Sequence, residues 1–352
     1  MPFAPRPDAR IWWHQSGTGD PVLLVMGHAY GAGMWHRTIP GLAASYRVIR
    51  FDNRGVGRSS DPPGPYPVPL MADDALAVLD AAGAASAHVY GVSLGGAIAL
   101  QLALDHPGRV RSLILGCTAA SAGGVPRGAL LTRVRSVLPA AALNRMAWKL
   151  LYGPGTPAVL RAEDQQIVRR TRCSGRGRRG QLAGAAGFDV TGRLAEIGIP
   201  ALVLHGARDR IVPAASARRL AGGIAGARLV MFPDAGHAYI TDVAQAANRQ
   251  VLRFLAGLPG PAGAPGAGAR PAASKADTAA NGLPTIRRLN KDVQAADPRS
   301  VRRDHAECAC HGQVHSGAGG HGAVGPPHHQ PQAPDVAQPQ RGRALLTVRA
   351  AA

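Results

Sequence analysis

Between residues 21 and 120 the chain alternates short, unbroken apolar runs with stretches whose apolar positions recur at helical spacing. Val22-Leu23-Leu24-Val25-Met26, closed by Gly27, reads as a strand buried on both faces. A second strand is predicted over 47–51, ending at Asp52, and a helix over 70–82, with Leu76 and Leu79 on its apolar face and Gly83 at its end. A strand over 88–92 leads without a break into a helix over 97–104. The run His106-Pro107-Gly108 stops that helix, and a further strand follows over 110–115. Strand and helix in strict alternation predict an α/β fold with a mostly parallel central sheet and flanking helices.

The period changes after residue 120. Leu130, Leu131, Val134 and Leu138, then Met146, Leu150 and Leu151, recur at helical spacing with no strand between them, which predicts a helical cap inserted over the sheet. The α/β alternation then resumes with a strand over 201–204, a helix over 214–220, a strand over 228–232 and a closing amphipathic helix over 244–255. From Leu258-Pro259-Gly260-Pro261 onward the chain is rich in Gly, Pro and Ala without hydrophobic period, a composition expected to stay disordered. The expected organisation is core over 1–120, helical cap over 121–189, core again over 190–258 and a low-complexity tail over 259–352.

Candidate chemistry enters at Gly91-Val92-Ser93-Leu94-Gly95, a Gly-x-Ser-x-Gly sequence that follows a predicted strand and opens a helix. That context is what a nucleophile elbow requires: a tight turn that presents the serine at the carboxyl end of the sheet. A serine hydroxyl needs a base to remove its proton during attack. Two later loops supply partners in the order acid, then histidine. Asp209 follows the strand at 201–204, and His237 follows the strand at 228–232 through Pro233-Asp234-Ala235-Gly236. Both loops belong at the same sheet edge as Ser93. His205, at a strand end and ahead of the acid, is the rival base and reads as structural; Asp234, crowded against His237, is the rival acid.

On these residues the chain, over roughly residues 10–257, resembles the α/β-hydrolase fold superfamily, serine hydrolase branch, near enol-lactonase-like and esterase-like proteins. Asp52-Asn53-Arg54-Gly55-Val56-Gly57-Arg58-Ser59 resembles the loop that braces the site's floor in that family, and Leu115-Gly116-Cys117-Thr118 resembles the segment ahead of the cap. The resemblance implies Ser93 as nucleophile, His237 as general base and acid, and Asp209 as the group that fixes the imidazole. It also implies an oxyanion hole built from the backbone N–H of Leu94 and of His28, with Ala29 the alternative one residue on. The His28 side chain either faces the substrate or leaves only its backbone in play. The implied reaction is cleavage of an ester or lactone of a small, largely apolar molecule through an acyl-enzyme, with no cofactor and no metal. Alternatives on the same residues are a C–C bond hydrolase, a cofactor-free haloperoxidase or a non-catalytic ligand-binding homologue.

Composition adjusts this picture in few places. Aromatic residues are only 4% of the chain, so Ala, Val and Leu carry the packing. The formal charge of +19 concentrates in one run, Arg169, Arg170, Arg172, Arg176, Arg178 and Arg179, interleaved with glycines. With no recognition helix, zinc finger or RNA-binding motif beside it, the run reads as a solvated loop; no nucleic acid is expected, and the cap is expected to be loose there. Four scattered cysteines imply no disulfide framework. His305, Cys308, Cys310, His311 and His315 fit no standard zinc spacing. The N-terminus lacks the apolar stretch of a signal peptide and no run reaches the ~20 apolar residues of a membrane span, so the expectation is a cytoplasmic protein. Trp148 and Tyr152, one helical turn apart in the cap, are candidates for lining the substrate pocket, with core packing the competing role. Oligomeric state leaves no trace in the sequence.

Overall fold

The computed structural model describes residues 2–124 and 149–258. The apolar cap positions at 130–138 and 146, Trp148, and the tail from 259 onward lie outside the described residues. Eight strands form a single sheet: β1 (Phe3–Pro5), β2 (Arg10–Ser16), β3 (Pro21–Val25), β4 (Arg47–Phe51), β5 (Ala87–Val92), β6 (Val110–Gly116), β7 (Ala201–Gly206) and β8 (Arg228–Phe232). Their order is β1-β2-β4-β3-β5-β6-β7-β8. Strands β3 to β8 are parallel to one another, while β1 and β2 run antiparallel at one edge. The helices are α1 (Ile39–Ala43), α2 (Val68–Ala81), α3 (Leu94–Asp105), α4 (Ala158–Arg170), α5 (Gly175–Ala185), α6 (Ala214–Gly223), α7 (Tyr239–Asp242) and α8 (Ala244–Ala256).

The unbroken apolar runs arise because the parallel sheet is covered on both faces. In β3, Leu23 and Val25 join one core with α2, α3 and α6, whereas Val22 and Leu24, with Met26 just beyond the strand, join a second with Trp35, Leu42 of α1 and the apolar face of α8. The edge strands β1 and β2 were not expected from the pattern. In β2, Ile11, Trp12 and Trp13 are buried consecutively and the polar His14-Gln15-Ser16 completes the strand, so neither a two-residue period nor a full apolar run exists to be read.

The cap elements α4 and α5 lie between β6 and β7. Asp164 of α4 is fully buried, and it accepts from Tyr152 Oη at 2.9 Å and Thr241 Oγ1 at 2.7 Å and pairs with Arg37. This network ties α4 to α7 and to the segment that follows β3. The Arg- and Gly-rich stretch, expected to be a solvated loop in a loose cap, is instead the helix α5. Its glycines explain the difference: a Cβ at Gly177 would lie 2.2 Å from the carbonyl oxygen of Gly55, and one at Gly180 would lie 2.7 Å from the Tyr66 ring. Backbones therefore meet where side chains would keep them apart. That close packing outweighs the roughly 1 kcal/mol per residue by which glycine disfavours a helix. Ser174 caps the helix by accepting from Gly177 N at 2.8 Å, while Arg176 and Arg179 point outward.

Under the sheet edge, Arg54 is fully buried and holds Asp74 through Nε (2.6 Å) and Nη2 (2.7 Å), with Asp8 on its outer side at 2.9 Å. A fork-to-carboxylate pair of this kind fixes the loop after β4 in one geometry. Among the described residues no helix is long and apolar enough to cross a membrane.

Candidate active site

Ser93 sits between β5 and α3 with φ 57° and ψ −122°, a backbone conformation that few non-glycine residues adopt. Strain of this sort costs about 1–3 kcal/mol and persists only where the surroundings enforce it. The enforcement is visible on both sides of the peptide. Ser93 N donates to Gly116 O at 2.8 Å, and its carbonyl accepts from Thr118 Oγ1 at 2.7 Å and from Gly96 N at 2.9 Å. The flanking glycines admit no side chain: a Cβ at Gly91 would fall 2.2 Å from Gly95 O, and one at Gly95 would fall 2.1 Å from Val25 O. The turn can close only with glycine at both places.

Asp209 and His237 follow β7 and β8, so both emerge at the carboxyl edge of the sheet where Ser93 also lies. His237 Nδ1 stands 2.8 Å from Asp209 Oδ2. A carboxylate has no proton to give, so Nδ1 is the donor and Nε2 keeps its lone pair. The other Asp209 oxygen accepts from Ile211 N at 2.8 Å and Val212 N at 2.9 Å. Burial works to raise the Asp209 carboxyl, but the adjacent His237 and these two amides outweigh it and hold it below the usual carboxylate range. Ser93 Oγ has no hydrogen-bond partner among the described residues, so Asp209 and His237 are brought into contact while the serine is brought to the same edge without a bond.

Of the rivals, Asp234 stands apart, whereas His205 Nε2 lies 3.7 Å from Asp209 Oδ2, farther than the 2.8 Å of His237. Asp234 is exposed on the loop before His237. His205 is fully buried, its Nε2 lies 3.1 Å from Val212 O, and burial keeps its pKa below the ordinary histidine value. It supports the acid loop from beneath.

The two expected oxyanion donors differ in kind. Leu94 is the first residue of α3, and the amide there has no carbonyl within the helix to reach. His28 follows β3 in a loop held from two directions. Asn53 Nδ2 donates to Met26 O at 2.8 Å, and Asp52 Oδ1 accepts from Ala32 N at 2.7 Å. The amide of Ala29, the alternative donor, gives its proton to Gln181 Oε1 at 2.8 Å. The His28 ring turns to the cap, with Nε2 3.0 Å from Arg178 O.

Gln181 is a residue that sequence reasoning missed. It is fully buried in α5 and also donates from Nε2 to Arg54 O at 3.0 Å, so one side chain joins cap, oxyanion loop and floor loop. Asp242 is a second. Its Oδ2 accepts from Gly236 N at 2.7 Å and Gly153 N at 2.8 Å, fixing the peptide before His237 against the cap. Only an acidic residue in an otherwise apolar stretch, Tyr239-Ile240-Thr241, hinted at it; Gln181 had no local signal at all. Tyr152 is buried with its hydroxyl committed to Asp164, and Trp148 lies outside the described residues.

Comparison with known proteins identifies the family. A family model described as the alpha/beta hydrolase fold matches residues 20–242. A putative carbamate hydrolase, RutD, of Azorhizobium caulinodans is 36% identical over 260 residues, which is 72% of this chain and 98% of that protein. Among solved structures, a hydrolase from Pseudomonas aeruginosa PA01 has a TM-score of 0.65 at 30% identity, covering 72% of this chain and 97% of its own. The enol-lactonase from Burkholderia xenovorans LB400 has a TM-score of 0.64 at 26% identity, covering 72% of this chain and 100% of its own. With relatives and neighbours that are hydrolases, and a family model spanning strands β3 to β8, the chain belongs to the α/β-hydrolase fold family.

Proposed function

We propose that the chain is a serine hydrolase that cleaves an ester or lactone of a small, largely apolar molecule. The observation that carries the reading is the 2.8 Å pair of His237 Nδ1 and Asp209 Oδ2 at the sheet edge that also presents the strained Ser93. In this reading Ser93 Oγ attacks the carbonyl carbon while its proton passes to His237 Nε2. The carbonyl π electrons move onto oxygen, which the amides of Leu94 and His28 stabilise. Collapse expels the alkoxide, which takes the proton from His237, and leaves Ser93 acylated. Water, deprotonated by the same nitrogen, then releases the acid. Asp209 stays ionised throughout and steadies the imidazolium. Proton transfer in this reading requires Ser93 Oγ and His237 Nε2 to come within hydrogen-bond reach in the substrate complex. Tyr152, a candidate for the substrate wall, is buried with its phenol held by Asp164, which favours its competing role in packing.

A second reading keeps the machinery and changes the leaving group. The 36% relative named as a carbamate hydrolase favours attack on a carbamate carbonyl. A panel of short-chain esters, lactones and simple carbamates, assayed with the wild-type chain and with Ser93→Ala, separates the two. The expected result is turnover of esters or lactones that the variant loses; carbamate turnover alone would move the assignment to the second reading. Hydrolysis surviving in the variant would refute both.

A further inference from the structure

We infer that the seam between the cap and the loop after β4 is a binding site for a small anion bearing carboxylate or phosphate groups. The seam opens into a pocket of about 530 Å³, bounded by the loop containing Gly55 to Asp61, by the end of α4 with its link to α5, and by Ala29. That size is within the range of small-ligand sites. Its walls are held in place: Gly57 N donates to Arg172 O at 2.7 Å, and Ser174 Oγ donates to Asp61 Oδ2 at 2.5 Å.

Three arginines line it, Arg169, Arg172 and Arg178, against one carboxylate, Asp61, for a net lining charge of +2 (three minus one). Asp61 is already engaged by Ser174 and by Tyr66 Oη at 3.0 Å. Arg37, Arg54 and Arg109, by contrast, each hold an aspartate. Among the described residues, none of Arg169, Arg170, Arg172, Arg176, Arg178 and Arg179 has an ion-pair partner. The Nε of Arg178 is buried with no hydrogen-bond partner, a donor removed from water without compensation. Arginines lining a concave space are suited to a planar carboxylate or a phosphate, which guanidinium groups can hold with paired hydrogen bonds. A concave pocket of this size suits a small molecule better than the backbone of a nucleic acid. None of these side chains belongs to the proposed triad, and Ala29 and Arg178 set the pocket beside the loop that carries His28.

The test uses the full chain at constant ionic strength and three probes, inorganic phosphate, pyrophosphate and citrate, followed by calorimetric titration and melting temperature. At least one probe is expected to bind saturably and raise Tm; phosphate-only or citrate-only binding identifies the source of the charge. Hydrogen bonds to charged groups are worth about 1.5–3 kcal/mol each, so Arg172→Gln with Arg178→Gln should weaken binding at least roughly ten-fold. Arg172→Gln alone, at an exposed position, provides a variant whose fold is not at issue. Arg218→Gln with Arg219→Gln in α6 removes equal charge elsewhere and should leave binding unchanged. Three outcomes would overturn the inference: no saturable binding of any probe, equal weakening in the α6 control, or retention of a single-stranded oligonucleotide in place of the small anions.

Discussion

Asp209 uses its two oxygens for different tasks. One accepts from the amides of Ile211 and Val212 and so shapes its own loop; the other orients His237. An asparagine in its place can keep the loop contacts, but its amide permits the wrong imidazole tautomer, with Nε2 protonated and unable to act as base. Asp209→Asn should therefore fold normally and lose roughly 10³- to 10⁴-fold in kcat, with KM little changed. Unchanged kcat in steady-state assays would remove the carboxylate from the mechanism. Residues such as these were legible because each stands on a loop directly after an apolar run. Gln181 was not, because its two partners, Ala29 and Arg54, come from distant parts of the chain and leave no pattern around it. The His28 side chain was ambiguous for a similar reason: what it meets is a carbonyl 150 residues away.

At the scale of elements, the helices and strands of the parallel sheet declared themselves because burial on both faces gives unbroken apolar runs. The helix α5 did not. Its composition argues for a loop, and only the neighbouring backbone reveals that the glycines serve contact. Two substitutions separate these roles. Gly177→Ala drives a methyl into the Gly55 backbone and should cost about 1–3 kcal/mol, as overpacking does. Gly222→Ala in α6 meets nothing within 4 Å, and removing a flexible residue there should leave stability unchanged or raise it by a few tenths of a kcal/mol. Melting temperatures of the two variants decide the matter; equal values would mean that α5 is not packed by its glycines.

For the molecule as a whole, one buried histidine makes stability sensitive to acid. His88 is only 3% exposed, its Nδ1 lies 2.8 Å from Ser112 Oγ, and burial, helped by Arg111, lowers its pKa to about 4. The unfolded chain takes up this proton below about pH 6.5, and the folded chain refuses it until about pH 4. Stability from this group is thus complete above pH 6.5 and is lost as pH falls toward 4, up to roughly 3 kcal/mol in all. Urea unfolding across that interval should show the loss, and a His88→Gln variant should show a shallower one; superimposable curves would contradict it. The general architecture was readable because alternation and motif order agree. The edge pair β1 and β2 was not, since a strand with three consecutive buried residues and a polar end has no period to detect.

Covalent trapping tests most directly whether Ser93 is the hydroxyl activated for attack. Treatment with a fluorophosphonate, digestion and mass-spectrometric mapping should find a single adduct on Ser93, strongly reduced in a His237→Ala variant. An unlabelled wild-type chain, or an adduct on another residue that persists in Ser93→Ala, would contradict it.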